Sequence, residues 1–112
     1  MSKTCWFIAC GPFRPSTHKA LSRKLTRLVK ERQEQGFELA ANFTPYGLSS
    51  LWKGVPGFEF TARDSVMWQL MRPGDAAVIL CDASRSYHRE RMDRYAQTVR
   101  ELGGEVSYCL VP

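Results

Sequence analysis

The chain is poor in what would place it in a membrane, a secretory route or a metal centre. No run approaches the roughly 18 to 20 apolar residues that a membrane-spanning helix needs, so no membrane partner is expected. Met1-Ser2-Lys3 leads directly into about seven apolar residues, without the small-residue cleavage site of a secretory signal, and a cytoplasmic location follows as the expectation. The four cysteines, Cys5, Cys10, Cys81 and Cys109, include no C-x-x-C pair. They read as reduced core thiols. Cys10 and Cys81 stand at strand ends where His18 or His88 could join them, but the ligand spacing of a metal site is missing, and neither metal nor cofactor is expected. The first strand also lacks the acidic pair at its end that would hold magnesium in a phosphoreceiver domain. Repeats and low-complexity stretches are absent.

What is present is one domain's worth of chain, 112 residues with 44% hydrophobic content, enough to bury a core unaided. Sixteen Lys and Arg against eleven Asp and Glu favour an anionic partner. The organising stretch is 76–81, Ala-Ala-Val-Ile-Leu-Cys, six apolar residues between the Pro73-Gly74-Asp75 turn and the polar loop 82–86. Such a run predicts a strand buried on both faces. Residues 3–10, 37–43 and 105–111 predict three more strands. The first strand ends at Gly11-Pro12, which can continue neither strand nor helix.

Three helices alternate with these strands. The first, capped by Ser16 or Thr17, runs to about Gln35 with Leu21, Leu25, Leu28 and Val29 on its buried face, and Gly36 stops it. A short one follows Thr61, which stands at capping-box spacing from Asp64, and buries Val66, Met67, Leu70 and Met71. A third spans 86–102 with Met92, Tyr95, Ala96, Val99 and Leu102 as its apolar stripe. The alternation predicts an α/β fold: a doubly wound, mainly parallel four-stranded sheet with helices on both faces, flavodoxin-like or resolvase-like. Ligands in such sheets bind beyond the strand C-termini where the strand order reverses. That rule singles out the loops 11–17 and 82–86.

The residues of these loops suit a phosphate. Arg14 and Lys19 flank the start of the first helix while Glu31 and Glu34 lie near its end, opposite to the preference of the helix dipole. The Ser16 and Thr17 hydroxyls and the backbone N–H groups of the first turn complete an anion site there. Lys19, Arg23, Arg27 and Lys30 form a basic stripe within about 80° at 100° per residue. Arg85, Arg89, Arg91 and Arg94 place further cations on the third helix, which supports a binding-only reading as a nucleic-acid or protein module. The long aperiodic stretch 44–60 adds Tyr46, Trp52 and Lys53, side chains that could lie over a ligand.

Two resemblances sharpen these readings. Val55-Pro56-Gly57-Phe58, a short helix, Met71-Arg72-Pro73-Gly74-Asp75, an apolar strand, Asp82-Ala83-Ser84-Arg85-Ser86, a long helix and Gly103 together resemble the catalytic domain of serine recombinases of the resolvase and invertase family. Arg14-Pro15-Ser16-Thr17 is similar to that family's nucleophile phrase. The resemblance implies that Ser16 attacks a DNA phosphodiester while Arg14, Asp82 and Arg85 assist, with DNA and a second copy of the chain as partners. Ala83 stands where the family has an arginine, Gly11-Pro12-Phe13 is inserted before the serine, and the family's dimerisation helix and DNA-binding domain have no counterpart. A degenerate relative that keeps the anion site is therefore the expectation. Phe7-Ile8-Ala9-Cys10-Gly11-Pro12-Phe13 also looks like the phrase that ends the first strand of nucleoside 2-deoxyribosyltransferase-like proteins, a reading that makes Glu90 the nucleophile.

Overall fold

The computed structural model describes residues 3–41, 58–60 and 64–111. Among the described residues five parallel strands, β1 (Thr4–Ala9), β2 (Glu38–Ala41), β3 (Phe58–Phe60), β4 (Ala76–Asp82) and β5 (Glu105–Val111), form one sheet in the order β3-β2-β1-β4-β5. Between them run α1 (His18–Glu34), α2 (Asp64–Leu70) and α3 (Ser86–Glu101), with a 3-10 turn at Pro15–Thr17 before α1. The fold is the doubly wound α/β architecture expected. All four expected strands are parallel, and the additional three-residue strand pairs with β2 alone. It lies within a stretch too rich in breakers for its period to show.

Alternation along the two central strands builds both cores. Register pairs Cys5 with Ala76, Phe7 with Val78 and Ala9 with Leu80, and all six face α1, where Leu21, Leu25 and Val29 meet them. Trp6, Ile8 and Cys10 join Ala77, Ile79 and Cys81 on the other face, beneath Met67, Met71, Ala96 and Val99 of α2, its end and α3. Every residue of β4 is buried, which is why its sequence shows no polar alternation. Burying a side chain such as Phe7 or Ile8 is worth about 1.5–3 kcal/mol.

Three local expectations change. Thr17 occupies the N-cap position of α1, but its hydroxyl donates to the Arg14 carbonyl at 2.8 Å and caps no helix N–H. The preceding 3-10 turn takes that hydroxyl first. Leu70, the last residue of α2, is 52% exposed and is no part of the buried face. Leu28 packs only partly against the core. Gly36 ends α1 as expected, at a φ of +90° that disfavours any side chain. The expected roles of Tyr46, Trp52, Lys53 and Thr61 lie outside the described residues. Among the described residues no helix is long and apolar enough to cross a membrane.

The sheet order has one reversal, between β1 and β4. From β1 the chain winds outward through β2 and β3, then crosses by way of α2 to β4 and continues to β5 on the other side. The C-terminal ends of β1 and β4 are therefore the switch point, beyond which sheets of this kind form a ligand crevice.

Candidate anion site at the sheet switch point

The crevice is floored by two residues that leave the strands side by side. The backbone N–H of Cys10 donates to the Leu80 carbonyl at 3.0 Å, extending the β1–β4 ladder by one residue. Beyond it the chains part into the loops 11–17 and 83–85, and α3 starts at Ser86. Asp82, the last residue of β4, is fully buried. Its Oδ1 accepts from the Ser84 N–H at 3.0 Å and from the Ser84 hydroxyl at 2.6 Å, a local turn that Asp favours. Its Oδ2 makes no hydrogen bond and lies 3.5 Å from Arg85 Nε, which is likewise buried and without one. Burial alone would push the Asp82 carboxyl up. The Ser84 hydroxyl and N–H, with the charges of Arg14 and Arg85, outweigh it and hold the pKa below the ordinary 3.8.

Arg85 is fixed on three sides. Nε faces Asp82, and Nη1 donates to the Pro12 carbonyl at 3.2 Å and to the Tyr87 hydroxyl at 2.8 Å. Among the described residues Nη2 has no partner. A guanidinium held in this way presents one free edge whose orientation costs no further entropy on binding.

His88 is the brace behind it. Completely buried on the first turn of α3, it accepts the Asp82 backbone N–H at Nδ1 (3.0 Å), so Nε2 carries the proton and donates to the Pro12 carbonyl at 3.2 Å. The ring also packs edge-on against Phe13 (5.2 Å between centroids) and Tyr87 (4.7 Å). One imidazole thus ties β4 to the loop after β1. Burial, with Arg85 and Arg91 adding to it, lowers the His88 pKa from 6.5 despite the Pro12 carbonyl and Asp82. The ring is neutral at pH 7, and both nitrogens are engaged by backbone groups. Gly11 permits this contact. A Cβ there would lie 2.9 Å from both His88 Nε2 and Tyr87 Cε2.

The expected residues fall into three groups. Arg14, Asp82 and Arg85 are brought together, Arg14 closely enough for its charge to act on Asp82. Arg89 also belongs to the loop, because its Nη1 donates to the Ala83 carbonyl at 2.5 Å. Ser16 is exposed on the 3-10 turn and makes no hydrogen bond among the described residues, so no base addresses its hydroxyl. Thr17 is buried and spends its hydroxyl on the turn, while Lys19 and Arg23 face solvent on α1. Lys53 is outside the described residues. Glu90 is exposed on the outer side of α3. No family model, curated protein or solved structure matches the chain.

Sequence reasoning missed the roles of His88, Tyr87 and Arg91. The signal for His88 was available: 88, 92, 95, 96 and 99 continue one helical stripe, and the first of these is as buried as the last. Arg91 donates to the Cys10 carbonyl at 3.1 Å and lies over the Tyr87 ring at 5.5 Å, a contact between distant segments that no local pattern shows. Cys10 and Cys81 share a thiol hydrogen bond on the inner wall, and burial raises the Cys81 pKa. A raised pKa leaves little thiolate, so Cys81 acts as a packing residue.

Proposed function

We propose that this domain binds the phosphate of a phosphodiester, as in a nucleic-acid backbone, in the crevice between β1 and β4, and does so without cleaving it. The carrying observation is Arg85: a guanidinium tethered to Asp82, the Pro12 carbonyl and the Tyr87 hydroxyl, with Nη2 unoccupied. Arg14 and Arg89 raise the positive potential around it, and the 16-residue α3 begins directly after Arg85, so the positive end of its dipole adds to that potential. Asp82 does not cancel this field. Its charge is spent on fixing Arg85, and the cations outnumber it.

The resemblance to the resolvase catalytic domain supports a phosphodiester over a free small anion, and the geometry supports binding over catalysis. An activated serine needs a base within about 2.6–3.2 Å. Ser16 has none, His88 has no free nitrogen to serve as one, and Asp82 is turned toward Arg85 and Ser84. Serine-dependent strand cleavage is the second reading, favoured only by the phrase Arg14-Pro15-Ser16-Thr17.

One experiment separates the two. The protein is incubated with supercoiled and with short linear DNA, affinity is measured against salt, and products are denatured to trap covalent adducts. Reversible binding that weakens with salt, falls about tenfold or more in Arg85→Ala and persists in Ser16→Ala is the expected result. An adduct lost in Ser16→Ala would replace binding with catalysis, and no binding even at low salt would remove both.

A further inference from the structure

A second concavity lies on the outer surface between α2 and α3, and the function above leaves it unused. It is a cleft of about 460 Å³ lined by Trp68, Arg91, Arg94, Tyr95 and Thr98. Four of these residues, at positions 91, 94, 95 and 98, form one stripe along α3, and Trp68 of α2 faces them. The Trp68 and Tyr95 rings meet at 5.7 Å and 56°. Both are half-buried rather than submerged, and Arg94 is exposed. Among the described residues no carboxylate pairs with Arg91 or Arg94. At 100° per residue Glu90 and Asp93 project about 100° and 160° away from Arg91. Two like charges one turn apart, without an acid between them, repel each other unless an anion lies across them.

We infer that this cleft is a groove for single-stranded nucleic acid, in which a base stacks on Trp68 while the flanking phosphates lie against Arg91 and Arg94. Aromatic faces beside a cationic track are the combination that single strands select, because every base has a π-face and every linkage a charge. A duplex keeps its bases paired inside and cannot use the rings. Arg91 also makes the groove continuous with the switch-point crevice: it touches the Tyr87 ring and the Cys10 carbonyl, and Tyr87 in turn holds Arg85. A strand with one phosphate on Arg85 can therefore run past Arg91 into the cleft. The inference rests on the phosphodiester reading for the chemistry of its ligand, but on different residues for its site.

The probe is a fluorescein-labelled twelve-residue oligo(dT), titrated at low salt and followed by anisotropy, with inorganic phosphate binding measured separately on the same proteins. Arg94→Glu, at an exposed position, is expected to weaken oligo(dT) binding about tenfold or more and to leave phosphate binding unchanged. Trp68→Ala is expected to cost about 5- to 150-fold, the range of one lost base stack, and Trp68→Phe to restore most of it. Thermal melting checks that each variant is folded. Wild-type affinity for oligo(dT) in both Arg94→Glu and Trp68→Ala would overturn the groove. So would a polyglutamate peptide that competes as well as oligo(dT), which would make the cleft an acidic-protein surface. Oligo(dT) binding that depends on Arg94 in a protein that binds no phosphate at Arg85 would uphold the groove and sink the phosphodiester crevice.

Discussion

Strand β4 carries a buried aspartate at each end, and the two are used in opposite ways. Asp75, just before the strand, has both oxygens engaged: Oδ1 accepts the Thr4 N–H at 3.0 Å, and Oδ2 accepts the Arg72 N–H at 2.9 Å and the Trp6 indole N–H at 3.4 Å. It ties β1, β4 and the end of α2 together at the closed end of the sheet. Asp82 has one oxygen satisfied by its own turn and the other facing only a guanidinium, at the open end. A buried carboxylate with both oxygens accepting from donors of the fold is a fastener. One that leaves an oxygen to a partly exposed arginine orients that arginine, and the residual polarity is available to a ligand.

The largest expected effect lies at the closed end. Asp75→Ala removes the acceptor of the buried Trp6 indole and of the part-buried Thr4 and Arg72 N–H groups, and at about 1–3 kcal/mol for the buried donor and less for the other two the loss should reach about 2–4 kcal/mol in urea denaturation. Binding measured below the transition should be unaffected. A loss under about 1 kcal/mol would break the contrast.

Next comes Gly11→Ala at the open end. The added methyl meets His88 and Tyr87 at 2.9 Å, so the loop must move off the imidazole. A cost of about 1–3 kcal/mol is expected together with weaker phosphate binding, since the Pro12 carbonyl then releases Arg85. Unchanged affinity would show that the brace does not position the arginine.

Asp82→Ala should cost less than either in stability, about 1 kcal/mol, because Ser84 is exposed and Arg85 can turn to water. Its main effect should be on binding, a several-fold loss from a guanidinium no longer tethered. Destabilisation equal to that of Asp75→Ala would erase the distinction between the two acids.

The smallest effect is a pH dependence. Folding lowers the His88 pKa, so its contribution is complete above 6.5 and is lost as pH falls below that value, when the imidazole must charge in a buried site. Asp82, also lowered, adds a similar loss only below 3.8. Between about pH 7.5 and 5.5 the melting temperature should fall more in the wild type than in His88→Asn, whose amide oxygen can still accept the Asp82 N–H. Equal slopes would remove His88 as the source.

Much of the fold is legible because its signals are local. The six apolar residues of β4 lie between a turn and an aspartate, Gly36 and Gly103 stand where helices stop, and the stripes on α1 and α3 repeat at helical spacing. The site is legible only in part. Asp82 and Arg85 are three residues apart, and their meeting could be read from the loop. The contacts that give Arg85 its aim come from Pro12, 73 residues away, and those that make Asp75 a fastener come from Thr4, 71 residues away. Nothing local encodes such pairs. The hydroxyls of Ser16 and Thr17 show the converse error: both have the right chemistry for an anion, but a 3-10 turn consumes one and leaves the other without an activating neighbour.

The central claim is that a phosphate binds at the switch point on Arg85, and a titration of ¹⁵N-labelled protein with inorganic phosphate tests it most directly. Saturable shifts are expected at the amides of residues 11–14 and 84–88 and at the side-chain N–H of Arg85, all lost in Arg85→Ala. Shifts that never saturate, or that fall on the Lys19, Arg23, Arg27 and Lys30 face of α1 instead, would contradict it.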